Sequence, residues 1–456
     1  MAFCYNLCRP YALKEVINRL SLIKKCTAAH DTRKKRNGRV NINSPDLSLL
    51  FDTRRLTTLP AATQRSALLL SFATFGSMAI QRICDAMLPE LSLVFNVSLT
   101  EAARVVWMLA VVYGAAQLFY GPMGDRLGKF RIVTYATIGC SLASLLAVFV
   151  GSLNALVLAR VAMGLCAAAI IPLSMAWIGD AVAFEQRQEV LAKVGLGTTL
   201  GLVGGQLMGG LLTDTLGWRW AFGVMALLFA VVGGLMCSDH RRQPAPAAPS
   251  QDAPSRPSFV GQAWRIVTDP WARYILLIAL AEGACGFGVL AMIASHLHRE
   301  LALSLTASGA IVAMFGVGGV IYMALARHLI RFLGEIGLAQ CGGSLMGVSF
   351  LVLGFATWWP LTPFVGLCAG FGFFMFHNTM QLHATQMAPT ARGTAVSLFA
   401  SCLFIGQAVG VLLAASLIAL LGSGVVIALG GGGIMALGFL LARGLRLRTL
   451  KTGTVP

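Results

Sequence analysis

Four charged residues stand where an apolar chain accommodates charge least readily. Arg82 and Asp85 lie three residues apart in one hydrophobic run, Arg160 sits in another and Glu282 in a third. A spacing of three on a helix puts both side chains on one face, within ion-pairing reach. Apolar surroundings make a carboxylate hold its proton more tightly, and a neighbouring cation makes it let go more readily. Acids in such places can load and release protons as their surroundings change. Asp85 and Glu282, with Arg82 and Arg160, are therefore the candidates for proton coupling; a permanently paired, structural Arg82 and Asp85 is the competing role. Arg160 lies near the start of its run, so it either faces an aqueous cavity or a carboxylate, or extends its stem to the outer interface.

A second constellation mixes polar hooks with aromatic wall. The stretch FGFFMFHNTMQLHATQ places His377, Asn378 and Gln381 at i, i+1 and i+4 beside Phe373, Phe374 and Phe376. Cavities for partly apolar compounds combine such groups, although a single histidine inside an apolar span is as often a packed, hydrogen-bonded residue. Tyr113, Gln117 and Gln407 are further lining candidates.

The elements that carry these residues follow from composition. The chain has 456 residues, is 57% hydrophobic and contains 50 glycines, which places it in the membrane class rather than among soluble domains. Twelve windows are long and apolar enough to cross a bilayer core: 67–93, 102–122, 132–150, 154–177, 191–213, 219–237, 272–296, 306–326, 336–356, 361–384, 393–421 and 424–442. None alternates with the period of a barrel strand, and a spanning segment must satisfy its own backbone, so all twelve read as helices. With the N-terminus inside, most of the 35 Lys and Arg fall in cytoplasmic tails and loops, and Arg104, Arg219 and Arg299 fall outside. The net charge of +17 is thus a topology signal rather than a nucleic-acid footprint. Trp218, Trp220, Trp358 and Trp359 are expected at outer helix ends, with Trp264 and Trp271 near an inner one.

Eleven cysteines are scattered without CxxC or His-rich spacing; Cys4 and Cys8 form only a weak metal pattern, and no metal or cofactor is expected. Residues 1–62 read as a basic, disordered cytoplasmic tail carrying RKKR at 33–36, with no apolar signal-peptide core. The lack of methionine between Met1 and Met78 suggests a start near residue 60. A proline-rich cytoplasmic linker, 239–270, separates six-helix bundles at 63–238 and 271–443, and 444–456 forms a cytoplasmic tail. The halves echo each other faintly. GQLMGGLL at 205–212 matches GQAVGVLL at 406–413 with an offset of 201, which also sets Arg126 against Arg327.

Between the second and third windows lies GPMGDRLGKFR, residues 121–131, a compact knot of charge and glycine. With the six-plus-linker-plus-six arrangement it resembles the major facilitator superfamily, whose loop signature is matched by Gly121, Asp125, Arg126, Gly128, Lys129 and Arg131; Phe130 stands where a second basic residue is usual. The resemblance implies twelve transmembrane helices in two pseudo-symmetric bundles, and it implies that this loop is a cytoplasmic conformational latch. Asp125 would sit against a helix N-terminus, and Arg126 and Lys129 would pair with acidic loop groups. The plainer alternative is a polar turn. Arg160 and Gly164 resemble the family's fourth-helix pattern, and Arg82 and Asp85 followed by LPEL at 88–91 resemble the first helix of its drug-exporter-like members. In the fifth window Gly197, Gly201, Gly205 and Gly209 recur every four residues, a stripe suited to close helix packing, moving or static. That stretch resembles the family's antiporter signature through Gly205, Gly209 and Gly210. It departs at Gln206, where proline is expected, and so places an amide where it can bond a substrate.

The function expected is secondary active transport in the plasma (inner) membrane: a monomeric, proton-coupled exporter of small amphipathic molecules working by alternating access. An importer of a sugar or organic acid is the alternative, and a membrane-embedded enzyme or receptor a remoter one. HExxH, GxSxG and P-loop motifs are missing from the sequence, as is a soluble sensory domain.

Overall fold

The computed structural model describes residues 60–240, 259–389 and 391–452. The expected tail with its RKKR run, Cys4 and Cys8, and most of the linker lie outside the described residues. Within them every regular element is a helix. The helices are α1 (Ala61–Arg82), α2 (Leu88–Val94), α3 (Leu99–Ala102), α4 (Arg104–Leu127), α5 (Lys129–Val148), α6 (Leu153–Ala181), α7 (Phe184–Thr215) and α8 (Trp218–His240). There follow α9 (Phe259–Thr268), α10 (Pro270–Glu282), a π-helical segment (Gly283–Gly288), α11 (Val289–Glu300), α12 (Leu305–Phe355), α13 (Thr362–Gln386), α14 (Arg392–Leu421) and α15 (Ser423–Thr452).

Helix boundaries follow local chemistry. The Ser98 hydroxyl accepts from the Glu101 amide while Glu101 reaches back to the Ser98 amide, a capping box opening α3. Ser152, Ser304 and Asp269 cap α6, α12 and α10 with a side-chain oxygen that accepts the amide three residues on. Gly128 turns between α4 and α5 with φ +92°, a backbone state only glycine adopts without strain. Among the described residues ten helices are long and apolar enough to cross a membrane, one of them the 51-residue α12. That helix is two merged across Gly334, where φ is +63°. Counting its arms separately, and adding the interrupted α1 and α2, accommodates the twelve windows. The first window is not one helix, however: residues 83–87 form a turn between α1 and α2. Trp218, the first residue of α8, is buried against Phe95 and Phe222, while Trp220, Trp358 and Trp359 are exposed.

Two large apolar cores form, the first drawn mainly from residues 67–236 and the second from 266–445, beside a small cluster of Tyr322, Leu338 and Met375. Glycines set the spacing inside each. A methyl group on Gly197, Gly201, Gly205 or Gly209 of α7 would strike the carbonyls of Ser71, Phe75, Ala79 and Ile83 respectively, so α1 and α7 pack backbone to backbone. Gly406 and Gly410 of α14 press in the same way on the carbonyls of Leu280 and Ala284. The same 201 residues separate Gly205 from Gly406, Ala79 from Leu280, Gly209 from Gly410 and Ile83 from Ala284. A second pair of contacts, Gly164 on Leu109 and Gly370 on Phe315, repeats at 206. Gly128 and Gly334, the two positive-φ glycines after α4 and inside α12, are also 206 apart. At that register Arg126 faces Phe332, so the match of Arg126 with Arg327 is not the structural one.

Candidate functional site

The turn at 83–87 creates a demand that Arg160 meets. A helix leaves its last carbonyls without intrahelical partners. At the end of α1 two of them, Ile80 and Gln81, accept from Arg160 Nη1 at 2.5 Å and Nη2 at 3.5 Å, while Nε donates to the Val105 carbonyl of α4 at 2.9 Å. The arginine is fully buried. A cation at a helix C-terminus also opposes the negative end of the helix dipole. Arg160 thus ties α1, α4 and α6 together through carbonyls; its hydrogen bonds go neither to a carboxylate nor to an interface.

Inside the turn, Arg82 Nη1 lies 3.5 Å from Asp85 Oδ2, both side chains inaccessible to solvent. The pair is held by the turn rather than by a shared helix face. Gln206 of α7 donates to the same Asp85 oxygen at 2.8 Å, so the amide standing in place of proline holds the acid. Arg82 Nε and Nη2, Asp85 Oδ1 and Gln206 Oε1 have no hydrogen-bond partner, and the same is true of Gln81 Nε2, Gln117 Oε1 and Gln407 Oε1 nearby in the fold. The buried Tyr113 hydroxyl makes no well-formed hydrogen bond, with Ser77, Gln81 and Gln117 its polar neighbours. Its ring packs 4.5 Å from that of Phe404 on α14.

The second half has its own pair. Glu282, the last residue of α10 and fully buried, receives His377 Nδ1 at 3.1 and 3.2 Å. The π-helical segment begins at the next residue, and such irregularities cluster at functional sites. His377 stacks on Phe373, with ring centroids 5.0 Å apart. Asn378 lies beside the Tyr322 hydroxyl, and Gln381 is exposed, so neither joins this pair.

Phe287, on the π-helical segment, joins the two pairs. The Arg82 guanidinium sits 4.3 Å over its ring, and its centroid is 4.7 Å from that of Phe373. The order Asp85, Arg82, Phe287, Phe373, His377, Glu282 is thus a continuous series of contacts from one half to the other. Sequence reasoning passed over Phe287. The available signal was a bulky ring flanked by glycines in GACGFG, directly after a buried acid.

In the 121–131 loop, Lys129 Nζ lies 2.5 Å from Asp180 Oδ2, at the end of α6, and 3.4 Å from Asp125 Oδ1. Arg131 lies over the Tyr135 ring, and Gly121 is in open space. Arg126 is exposed and lines a surface groove with Phe119, Pro122, Met123 and Leu127. At the opposite end, hydrogen bonds join the halves. Thr100 donates to the Ala415 carbonyl at 2.8 Å, and Asp214 accepts from the Leu305 and Thr306 amides and the Thr306 hydroxyl.

The protein is 24% identical over 349 residues to the uncharacterized MFS-type transporter YceJ of Bacillus subtilis (strain 168), covering 74% of this chain and 84% of that one. It is 26% identical over 153 residues to the multidrug export protein EmrB of Escherichia coli (strain K12), covering 34% of this chain and 30% of that protein. Among solved structures, a bacterial homologue of the human lysosomal transporter Spinster, inward-facing and unoccupied, superposes with TM-score 0.62 at 16% identity over 84% of this chain and 96% of that one. The nucleoside transporter NupG superposes with TM-score 0.66 at 13% identity, over 83% and 97%. The sequence pattern of the Major Facilitator Superfamily matches residues 70–411, so the helices, the paired contacts and the buried ion pairs described above are those of a membrane transporter belonging to that superfamily.

Proposed function

We propose that the protein is a proton-coupled exporter of small amphipathic molecules that works by alternating access. The observation that carries this reading is a fully buried acid in each half, Asp85 and Glu282, each beside a basic partner and each at the point where the leading helix of its half departs from α geometry. Broken helices near the midplane are where transporters of this kind bind substrate and coupling ions. Residues 63–238 and 271–443 are the two bundles, joined by the 239–270 linker. The termini are cytoplasmic by the distribution of Lys and Arg, so the end where Thr100, Asp214 and Thr306 join the halves is the outer one. The 121–131 loop is the cytoplasmic latch. Export is favoured by the likeness to EmrB. A nutrient importer is the second reading, with a nucleoside, after the nucleoside transporter NupG, as one substrate to try.

The test uses purified protein in vesicles holding a trapped pH indicator, challenged with a panel of amphipathic compounds and with nucleosides. Wild-type protein is expected to exchange protons against at least one amphipathic compound. Asp85→Asn and Glu282→Gln should each lower the number of protons moved per molecule of compound. Proton movement unchanged in both variants would overturn the coupling, and protons entering together with nucleosides would establish the importer.

A further inference from the structure

We propose that Phe287 and Phe373 form an aromatic column that makes the two buried acids work as one proton-binding unit rather than as two independent sites; Phe287 is its positioning residue. The proposal rests on the proton-coupled reading of Asp85 and Glu282 and extends it to how the two communicate.

The geometry supplies each link. Asp85 meets Arg82 and Gln206, and Arg160 is the other cation near it. Glu282 meets His377. The guanidinium of Arg82 rests on the negative face of Phe287, an interaction that is strongest where water is excluded. Phe287 leans on Phe373, and Phe373 lies nearly parallel to the His377 ring, 15° off. Phe315 supports Phe373 from a further side, 5.2 Å away. When Glu282 takes a proton, His377 loses its charged partner and its ring is released. The column then no longer holds Phe287 against Arg82, and the free Nε and Nη2 of that arginine turn toward the unused Asp85 Oδ1. Charge at one acid thereby alters the hold on the proton at the other, the behaviour of coupled titrating sites.

The column is also where the halves touch. Arg82 belongs to the first half, and Phe287, Phe373 and His377 to the second. Rocking the halves apart slides the guanidinium off the ring, so the coupling exists in one conformation and lapses in the other.

The experiment measures the pH of half-maximal transport in vesicles for four proteins: wild type, Glu282→Gln, Phe287→Leu and the double variant, with Asp85→Asn as control. In the wild-type background Glu282→Gln is expected to move the midpoint by about one pH unit, the tenfold effect of an interacting pair. In the Phe287→Leu background the same change should move it by less than about a third of that. Replacing Phe287 by phenylalanines of increasing fluorination keeps the shape of the ring while draining its face. It should lower the coupling stepwise, which a purely structural role for the ring would not do. Equal midpoint shifts in both backgrounds, or full coupling with the fluorinated rings, would overturn the column while leaving the two acids as coupling sites. A midpoint indifferent to Asp85→Asn would overturn the proton reading itself, and the column with it.

Discussion

The leading helix of the first half stops at Arg82 and resumes at Leu88, whereas its counterpart 201 residues later stays wound, as a π-helix over Gly283–Gly288. The two solutions place different demands on their surroundings. A true break frees carbonyls that must find donors in a medium without water, and Arg160 supplies them. A π-helical turn keeps its backbone paired and needs no such donor. The residue 206 positions after Arg160 is accordingly Gly366, which lies against the Ile311 carbonyl, just as Arg160 donates to Val105, 206 positions earlier. The charges differ in the same sense. The first half surrounds its acid with permanently charged arginines, while the second pairs its acid with a histidine, the side chain whose charge changes most readily near neutral pH. One half is propped open by fixed charge and the other is left adjustable.

The comparison breaks most visibly at its first strut. Arg160→Ala strands the two carbonyls at the end of α1, each costing about 1–3 kcal/mol when buried without a partner, so the variant should melt far below wild type in detergent or fail to accumulate. Gly366→Ala, its opposite number, meets the Ile311 carbonyl closely and should cost about 1–3 kcal/mol by overpacking. If the two variants melted alike, the idea that the break alone needs a donor would be wrong. Asp85→Asn comes next. It leaves Arg82 buried without a countercharge, a loss of about 3–5 kcal/mol, whereas Glu282→Gln leaves a histidine free to become neutral and should cost markedly less. Equal losses would mean that the second half is as rigidly charged as the first.

The glycine contacts sharpen the comparison from the other side, because here the halves are alike. Gly205→Ala and Gly406→Ala each drive a methyl into the carbonyl of the facing helix, at Ala79 and Leu280, and each should lower stability by about 1–3 kcal/mol in thermal melts. Gly195→Ala, with open space around it, is the control and should raise stability by up to about 1 kcal/mol. A neutral Gly406→Ala would show that α10 and α14 can yield where α1 and α7 cannot.

How much of this was legible in the sequence depends on the range of the interaction. Spans, caps and the glycine stripe are properties of one helix, written in its periodicity, and the stripe of α7 could be read before its partner was known. The costly charges were legible because hydrocarbon makes them rare. Their partners were not. Nothing local to Arg160 says that it serves carbonyls 80 residues earlier, and Glu282 and His377 are 95 residues apart. Gln206 stood out only as a departure from a pattern, and its role, holding Asp85, depends on α1 and α7 meeting at that level. The turn at 83–87 was hidden because ICDAM is apolar enough to continue a helix, and the Pro89 that follows it permits a new start as well as a kink.

The smallest effect belongs to the loop with the strongest sequence signature. Lys129 bridges Asp125 and Asp180, but Asp180 is 64% exposed, and ion pairs in such surroundings contribute about 0–1 kcal/mol. Lys129→Ala should therefore leave the melting transition almost unchanged, with the small difference vanishing at high salt. Transport should nonetheless slow. A pair that stabilises one conformer so weakly can be exchanged for partners on the other half when the cytoplasmic ends close, and the exchange, rather than the static pair, sets the balance between states. The second half carries Glu335 at the position of Lys129, 206 residues on, bonded to His383 at 2.9 Å, so it holds a similar pair with the charges inverted. A Lys129→Ala variant that lost several kcal/mol of stability would identify the contact as a fastener of α5 to α6, and the loop would then be a turn rather than a latch.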